Sequence, residues 1–477
     1  MSKKNQNYTN RKQNRFHPER MRGNVFVNNS GKQWLPGENG KAAKVERLLR
    51  GIKEEKKEIA GNMAGYKDSG IEYIGQVPKD WEVLRLKNIS NIYAAKEYLF
   101  GEWPVEKNGK PYSPFGEWSS GNEVIITGRV GTIGQYEMLE KNPKKKILIN
   151  DNRLLIRPFT ENYRKKAFSH FLFWAMAIVN LNDIITGSAV PLITATSLLK
   201  KRIVVPPLPE QQRIADFLDT KCGILDRTID AVSQQIEDLE KYKRALITKT
   251  VTKGICKKGE PERAMKDSGV EWIGGIPEEW NVKPFKALAG MKGSSEYTAR
   301  DIVDEGEGVI LLSPSNINDN KLNLSKRTYI SQKKYDKSTT KIQRGDLLFT
   351  KTASVGKCVI YDSDEPAMPN PQLVVLKNIK CLPKFLYYSM VSDVMQAPTK
   401  MYVYGSVIPT ISQLNLGRIK IPVPSPEEQQ QIADYLDEKC KNIDNRVQKR
   451  RQQLEWLKEY KKSLIFDYVT GKKRVEE

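Results

Sequence analysis

The sequence predicts a mixed α/β (α+β) fold in which two unlike blocks are separated by two long antiparallel helices that form a coiled coil. One segment occurs twice, as KDSGIEYIGQVPKDW (67–81) and KDSGVEWIGGIPEEW (266–280). A second segment also occurs twice, as QQRIADFLDTKC (211–222) and QQQIADYLDEKC (429–440). Each copy of the second segment opens a stretch with heptad apolar spacing. The chain is therefore interpreted as an A-B-A′-B′ repeat with pseudo-two-fold symmetry.

The length and composition of the chain allow several packed cores. It has 477 residues, of which 39% are hydrophobic and 9% aromatic, so wholesale disorder is excluded. The formal net charge of +22 predicts a polyanionic partner, and nucleic acid fits that description best. No stretch approaches 18 consecutive apolar residues, and no apolar signal segment opens the chain. Neither a membrane span nor a secretory signal is therefore predicted.

The cysteines and histidines offer little material for metal or nucleophilic chemistry. The cysteines form no C-x-x-C pair, which predicts free thiols in a reducing cytoplasm; they are Cys222, Cys256, Cys358, Cys381 and Cys440. His17 and His170 are the only histidines, so neither a zinc site nor histidine-dependent catalysis is expected. We predict that this chain itself binds no metal and no cofactor.

The N-terminal segment 1–65 differs from the rest of the chain. It contains 15 lysines and arginines against 6 acidic residues, and it is rich in asparagine, glutamine and glycine. We expect residues 1–65 to form a basic, largely disordered extension with a short charged helix around 41–59. A solvated tail is favoured over a dedicated DNA-binding arm.

Two blocks follow, which we call block 1 (66–205) and block 2 (265–421). Beyond their shared opening segment they barely resemble each other, but each contains helical stretches, near 164–180 and 384–397, and several short apolar runs. The strand-like runs are 124–126, 146–149, 309–312, 346–349, 358–361 and 373–376. Each block is therefore expected to be a mixed α/β domain.

Weak echoes connect the two blocks. GSAVP at 187–191 matches GSVIP at 405–409, and GTIG at 131–134 loosely matches ASVG at 353–356. These echoes indicate one scaffold that is used twice, with its variable surface rewritten.

Each copy of the second repeated segment predicts a long helix. Proline near each start suits a first helical turn, and apolar residues then follow at alternating spacings of four and three. The seam runs from Ile214 to Leu246 in the first helix and from Ile432 to Leu464 in the second. Residues 214–250 would span about 55 Å. Pairing the two helices is the simplest way to bury both seams.

Single residues recur at equivalent points of the two halves. Lys243 and Lys461 interrupt the two seams late. Cys222 and Cys440 lie on the seams and are expected to pack as small apolar groups. The tryptophans that end the opening segments are expected to be core anchors; they are Trp81 and Trp280.

Catalytic motifs are missing from the sequence. An adenine methyltransferase would need Asn/Asp-Pro-Pro-aromatic, but a valine precedes the prolines at 206–207, and NPQL at 370–373 lacks the second proline and the aromatic residue. A G-x-G-x-x-G turn and a complete P-loop are also missing. Carboxylates at 54–55 and 362–365 fit no nuclease metal site. We therefore predict a non-enzymatic scaffold that reads DNA for other proteins.

Two unlike blocks on one rigid spacer would read two unlike half-sequences at a fixed separation. Half-site centres about 34–36 Å apart would place both on one side of the duplex. Antiparallel helices would also invert the two halves, so that each could present an equivalent surface to one of two identical partners.

At several motifs the chain resembles the specificity subunits of type I restriction–modification systems. These motifs are similar to those that open the family's target-recognition domains, occur inside them and start the spacer helices. They are the opening segments 67–81 and 266–280, GDLLFTK (345–351), SVGK (354–357), PLPEQQRIA (207–215) and PEEQQQIA (426–433). The resemblance covers 66–470, whereas the N-terminal extension is not part of the family pattern.

The resemblance implies a sequence-specific subunit that recognises a bipartite, asymmetric DNA target. It implies two copies of an N6-adenine methyltransferase subunit as partners, which bind S-adenosylmethionine and accept the flipped adenine. Restriction subunits that use ATP and Mg²⁺ for translocation are optional partners. An alternative is a coiled-coil scaffold that binds nucleic acid without sequence specificity, and a self-sufficient DNA-modifying enzyme is a weaker one.

The repeats, the composition of the N-terminal segment and the resemblance together predict the domain boundaries. The expected order is the extension (1–65), target-recognition domain 1 (66–205), the first spacer helix with its linker (206–264), target-recognition domain 2 (265–421) and the second spacer helix (422–477).

Polar and basic residues in the Gly/Ser-rich loops of both blocks are the candidates for reading DNA. Arginine or lysine pairs with guanine, Asn or Gln with adenine, and Ser or Thr with either base. For each candidate, a turn or phosphate contact is the competing interpretation. In block 1 the candidates are Arg129, Thr132, Asn152, Arg153 and Ser188. In block 2 they are Ser315, Asn316, Lys351, Thr352, Ser354, Lys357, Tyr404 and Ser406.

Overall fold

The computed structural model of the chain describes residues 65–94, 124–128, 134–138, 153–159, 168–187, 191–255 and 263–475. The predicted helix at 41–59, the strand-like run at 146–149 and nearly all of the predicted extension lie outside the described residues. The account below concerns the described ranges alone.

Block 1 is a mixed α/β domain. Its strands are β1 (Tyr66–Asp68), β2 (Gln76–Pro78), β3 (Glu82–Arg85), β4 (Ser90–Ala94), β5 (Val124–Thr127), β6 (Tyr136–Met138), β7 (Arg153–Pro158) and β8 (Arg202–Val205). Its helices are α1 (Ser169–Met176) and α2 (Ala195–Leu199), with 3-10 turns at Leu86–Asn88 and Asn182–Ile184. Thr194 and Ser197 form a reciprocal capping box that starts α2.

The first long helix, α3 (Leu208–Lys253), leaves block 1 directly after β8. Pro209 lies in its first turn, where a missing N–H costs no hydrogen bond. Gly254 ends it with a φ of 76°, a left-handed conformation that a glycine adopts without the Cβ penalty.

Block 2 is also a mixed α/β domain. Its strands are β9 (Met265–Asp267), β10 (Gly275–Pro277), β11 (Asn281–Pro284), β12 (Gly290–Lys292), β13 (Ile302–Val303), β14 (Gly308–Leu312), β15 (Ile317–Asn318), β16 (Lys321–Leu322), β17 (Tyr329–Ser331), β18 (Leu347–Thr350), β19 (Cys358–Ile360), β20 (Ala367–Pro369), β21 (Leu373–Lys377) and β22 (Lys420–Val423). Its helices are α4 (Phe285–Leu288), α5 (Gln332–Lys337), α6 (Pro383–Val391), α7 (Asp393–Tyr402) and α8 (Gln413–Arg418), with 3-10 turns at Ala299–Asp301 and Pro314–Asn316.

The second long helix, α9 (Pro426–Val469), follows β22. With 44 residues, against 46 in α3, each long helix spans about 65–70 Å. The ion pair of Lys461 with Asp226, at 2.6 Å, and the ring contact of Phe217 with Tyr468 join the C-terminal part of α9 to the N-terminal part of α3. The two helices therefore pack antiparallel, which confirms the predicted fold class.

The two blocks share one sheet topology although their sequences differ. Block 1 has the strand order β4-β7-β5-β6, and block 2 has the order β12-β21-β18-β19, with antiparallel neighbours in both. A two-stranded ladder joins the entry of each block to its exit, β3 with β8 and β11 with β22. Block 2 also contains a second sheet, β13-β17-β14-β20, and the hairpin β15-β16.

The hydrophobic cores continue from the blocks into the long helices. The core of block 1 includes the first half of α3, with Ile214 and Leu218, and the second half of α9, with Leu464. The core of block 2 includes the end of α3, with Val251, and the start of α9, with Leu436. Each block is thus packed against both helices and is held rigidly at one end of the spacer.

Candidate nucleic-acid interface

The tryptophan that ends each opening segment is tied to the start of the following long helix. Trp81 is fully buried, and its indole N–H donates to Glu210 Oε2 at 2.9 Å. Trp280 is fully buried as well and donates to Glu428 Oε2 at 2.8 Å. The prediction of two core anchors is confirmed. Each glutamate directly precedes one copy of the second repeated segment, which explains why the two repeated segments recur together.

The glutamine after each of these glutamates positions the helix inside its block. Gln211 Oε1 accepts from the backbone N–H of Phe168 at 2.8 Å, directly before α1. Gln429 Oε1 accepts from the backbone N–H of Leu382 at 2.8 Å, directly before α6. Both glutamine side chains are buried, so the spacer motif fixes the orientation of each block.

An arginine that follows each long helix forms ion pairs with the opening segment of a block and with the start of the other long helix. Arg474 lies 2.6 Å from Asp80 and 3.8 Å from Glu210 in block 1. Arg263 pairs in the same way with Glu279 and Glu428, whose hydrogen bonds raise its pKa. These pairs are the pseudo-two-fold equivalents of each other.

Loop 351–357, which follows β18, is the centre of the predicted site in block 2. The N–H of Lys351 donates to Gln372 O at 2.9 Å, and its carbonyl accepts from the N–H of Ile411 at 2.9 Å. Ala353 has a φ of 64°, and its N–H donates to Pro409 O at 2.8 Å. The backbone of this loop is therefore anchored on both sides.

The far end of loop 351–357 is anchored from below. The hydroxyl of buried Thr350 donates to Ser354 O. The oxygen of that Thr350 hydroxyl accepts from the N–H of Lys357 at 3.0 Å. Gly356 has a φ of 100°, and its carbonyl accepts from the Gln396 amide of α7 at 2.8 Å. These internal hydrogen bonds fix the shape of the loop, which reduces the entropy cost of binding.

The predicted reading side chains on this loop remain available to a partner. Within the described part of the chain, the side chains of Lys351, Thr352 and Ser354 form no hydrogen bond and no ion pair. Their half-buried polar ends offer an ammonium group and two hydroxyls, which suit phosphates or base edges.

Loop 404–410 lies beside loop 351–357. Tyr404 and Thr410 exchange backbone hydrogen bonds of 2.9 and 2.8 Å, and Thr410 also bridges Thr352. Tyr404 and Ser406 are both exposed. The structure thus brings the predicted residues of the two loops together on one surface.

The remaining candidates of block 2 differ in availability. Ser315 is exposed, and its hydroxyl lies 2.6 Å from that of Ser313. Asn316 is buried, and its amide is already hydrogen-bonded. Its Oδ1 accepts from the N–H of Ser313, and its Nδ2 donates to the carbonyls of Asn323 and Lys326. The amide of Asn316 therefore organises its turn and has no free edge for a base.

Hairpin β15–β16 connects loop 351–357 to the spacer. The Lys357 ammonium donates to Ile317 O at 3.3 Å, and Asn320 Oδ1 accepts from the backbone N–H that opens β19. At the other side of the hairpin, Lys321 lies 3.2 Å from Asp444 of α9. The orientation of the loops is therefore coupled to the long helices.

Most candidates of block 1 lie outside the described residues, namely Arg129, Thr132, Asn152 and Ser188. Arg153 opens β7, where its backbone pairs with Thr127. The described flanks match block 2, because Gly128 O accepts from the N–H of Ile193 at 2.7 Å as Lys351 O does from Ile411.

Groups of three or more His, Cys, Asp or Glu residues that could hold a metal ion do not occur among the described residues. Burial raises the pKa of Cys222 and of Cys440 to about 11, so these seam thiols pack as apolar groups, as predicted. Of the helices in the described ranges, none has the length and apolarity to cross a membrane.

Comparison with known proteins gives concordant matches. A family model described as the type I restriction modification DNA specificity domain matches twice, at residues 78–241 and 277–455. The type I restriction enzyme MjaVIII specificity subunit of Methanocaldococcus jannaschii is 24% identical over 425 residues, which cover 84% of this chain and 95% of that protein. The type I restriction enzyme EcoBI specificity subunit of Escherichia coli is 25% identical over 403 residues, which cover 78% and 81%.

A solved structure supports the same fold. It is described as the structural basis of complex assembly and conformational transition of the type I R-M system, and it superimposes with a TM-score of 0.57 at 16% identity. The match covers 83% of this chain and 99% of that chain. The two-block architecture with its paired long helices is therefore shared.

Proposed function

Because the chain belongs to the type I restriction modification DNA specificity domain family, we propose that it recognises a bipartite, asymmetric DNA target, with each block reading one half. The chain is a specificity subunit, which selects the DNA and carries no catalysis of its own. A scaffold that binds nucleic acid without sequence preference finds no support among its relatives.

One observation carries the two-half assignment. The blocks are built on the same sheet topology and the same Trp–Glu and Gln clamps, yet their intervening sequences differ. They sit at opposite ends of one antiparallel helix pair, so their separation is set by the spacer. A common frame with unlike loops is what two different half-sites at a fixed gap require.

We assign the reading residues accordingly. In block 2, Lys351, Thr352, Ser354, Tyr404 and Ser406 have free polar groups and face the DNA, with Lys357 and Ser315 beside them. Asn316 acts by shaping its turn. By the match between the flanking backbones, the same role extends to candidates of block 1; these are Arg129, Thr132, Asn152, Arg153 and Ser188.

The pseudo-two-fold symmetry and the family resemblance support the following partners and domain limits. Two copies of an N6-adenine methyltransferase subunit, each with S-adenosylmethionine, dock on equivalent faces of the spacer, and two restriction subunits with ATP and Mg²⁺ complete a cleaving complex. The target-recognition domains are 66–205 and 265–421, and the spacer segments are 206–264 and 422–477. Because its substrate is chromosomal DNA, the complex acts in the cytoplasm.

Deletion of the gene tests this function. The methylome of the deletion strain should lose one bipartite N6-methyladenine motif throughout the genome, because no other chain would direct the methyltransferase to it. Complementation with the intact gene should restore that motif. A methylome unchanged by the deletion would refute the proposal.

A further inference from the structure

Loop 404–410 carries an exposed apolar tip on a domain that binds a polyanion. Val407 is 89% exposed, Ile408 58% and Tyr404 56%. The sequence has no charged residue from 401 to 417. The tip therefore offers no cation to a phosphate, and the exposure of its apolar side chains has a cost in water that binding would relieve.

The tip is rigid. Gly405 has a φ of 92°, and a Cβ added there would lie 2.5 Å from the carbonyl oxygen of Ile408. The hydroxyl of Thr410 donates to the same oxygen at 3.3 Å, and Pro409 restricts the backbone between them. Val407 and Ile408 are thus presented at a fixed position.

The tip lies beside loop 351–357. The N–H of Ala353 donates to Pro409 O, and Thr352 forms a β-bridge with Thr410. Lys351 is the next residue along. Proteins that insert an apolar side chain between base pairs also use cations to bind the DNA, and this surface offers both kinds of group side by side.

The base of this loop recurs in block 1. Thr186 and Leu192 exchange backbone hydrogen bonds of 2.9 and 2.8 Å, and Gly187 has a φ of 88°. These positions precede their counterparts in loop 404–410 by the same offset that relates the two long helices. The loop belongs to the repeated frame, so it contacts something common to both half-sites, and stacked base pairs are present in any sequence.

We propose that Val407 and Ile408 form an apolar wedge that enters a base step of the half-site bound by block 2 and partly unstacks it. The inference rests on the proposed function. Unstacking next to the target adenine would lower the cost of flipping that base into the partner methyltransferase. The deoxyribose walls of the minor groove are apolar enough to accept the flanking side chains.

A docking surface for a partner protein is the competing interpretation. A stable interface covers about 800 Å² on each partner. Exposed apolar side chains also occur nearby in sequence, at Met401, Tyr402 and Leu414, but the tip held by Gly405 and Thr410 consists of the adjacent side chains of Val407 and Ile408. Its size suits the gap between two base pairs better than it suits a protein face.

The test uses the full chain assembled with its methyltransferase subunits. The probe is a short duplex that carries the motif lost in the deletion methylome, with 2-aminopurine beside the adenine of the half read by block 2. Binding of the unmutated complex should raise the 2-aminopurine fluorescence. Val407→Ser combined with Ile408→Ser should reduce that rise roughly threefold, with the salt dependence of binding unchanged.

Two further variants sharpen the outcome. Ile302→Ser removes an exposed apolar side chain of β13, which belongs to the second sheet of block 2, and should behave as the unmutated complex does. Val407→Phe enlarges the tip and should keep or increase the fluorescence rise. The wedge is overturned if the double serine variant keeps the full rise in fluorescence. It is also overturned if the variant no longer binds the methyltransferase subunits but its remaining intact complexes still show the full rise, since the tip would then be a docking surface.

The wedge and the proposed function fail in different ways. If the unmutated complex binds the motif duplex no better than a scrambled duplex, the proposed function is wrong and the wedge falls with it. If it prefers the motif but the fluorescence does not rise with 2-aminopurine on either side of the adenine, the wedge alone is wrong.

Discussion

Lys243 of α3 and Asp444 of α9 form an ion pair of 2.7 Å across the two long helices, and Lys461 with Asp226 repeats it at the other end. Both lysines and both aspartates are related by the offset that separates the repeated segments 211–222 and 429–440. Burial opposes ionisation of Asp444, but the hydrogen bonds and charges of Lys243 and Lys321 outweigh it and lower its pKa. These pairs explain the cations that interrupt the predicted seams, since they fix the register of the spacer.

Asp444 makes the spacer sensitive to acid. Because its folded pKa lies below the unfolded value of about 4, its stabilisation is present above that pH and is lost as the pH falls through the folded pKa. Asp444→Asn should lower the free energy of unfolding by about 1 kcal/mol at pH 7, and the difference should vanish in acid. Urea unfolding at several pH values measures this. A difference from the unmutated chain that is constant with pH would contradict it.

The indole–glutamate bonds anchor the blocks to the spacer. Trp280→Phe removes the donor to Glu428 and leaves a carboxylate short of one partner, so it should lower the free energy of unfolding by about 1–3 kcal/mol. Trp81→Phe should have a similar effect through Glu210. Trp456→Phe is the control, since that ring packs on Tyr460 and the block 1 core while its indole N–H has no hydrogen bond within the described residues. Equal losses for all three in denaturant titrations would show that ring volume alone matters.

Alanine variants of Gly405 and Gly345 distinguish the effect of a steric clash from that of backbone strain. Their φ values are 92° and 91°, but an added Cβ meets Ile408 O at 2.5 Å only at Gly405 and nothing within 4 Å at Gly345. Both alanine variants should cost about 1 kcal/mol of stability through the left-handed conformation. Gly405→Ala should in addition weaken binding of the motif duplex. Titration of that duplex checks this, and equal affinities for the two variants would refute the rigid-loop account.

Within the described residues the ammonium group of Lys351 has no partner, whereas that of Lys357 donates to Ile317 O. If Lys351 pairs with a guanine, Lys351→Ala should cost about 1–3 kcal/mol of binding free energy and relax specificity at one base pair of the half read by block 2. If it contacts a phosphate, all sequences should weaken alike and the salt slope should fall by about 1. Lys384→Ala is the control, because its ammonium pairs with Asp437 on the spacer. Affinity for a panel of single-base variants, measured at several salt concentrations, distinguishes these cases. If Lys351→Ala had no effect on affinity at any salt concentration, a DNA contact by Lys351 would be excluded.

The long helices could be predicted from sequence because their signal is local and repeated. A heptad seam needs no knowledge of distant contacts, and the constant offset between matching positions indicates that both seams belong together. The sheet order could not be predicted, since β4 pairs with β7 and β12 with β21 across long insertions. The shared topology of blocks that barely resemble each other in sequence therefore emerges only from the structure.

The candidate site was predictable to a lesser degree. Residue type alone predicts Lys351, Thr352 and Ser354 as candidates, and the structure leaves their polar groups available. Asn316, in contrast, completes a Ser-x-x-Asn capping box with Ser313. That local motif was the signal for a structural role. The exposure of Val407 cannot be predicted from the sequence, because an apolar residue is expected in a core unless its exposure is known.

The exchange of block 1 tests the central claim most directly. Residues 82–205 would be replaced by the equivalent segment of a relative with a different known motif, and the methylome of the resulting strain would be sequenced. We predict that one half of the motif changes to that of the relative, while the other half and the gap between them stay the same. A change in both halves, or in the gap, would contradict the assignment of one block to one half-site.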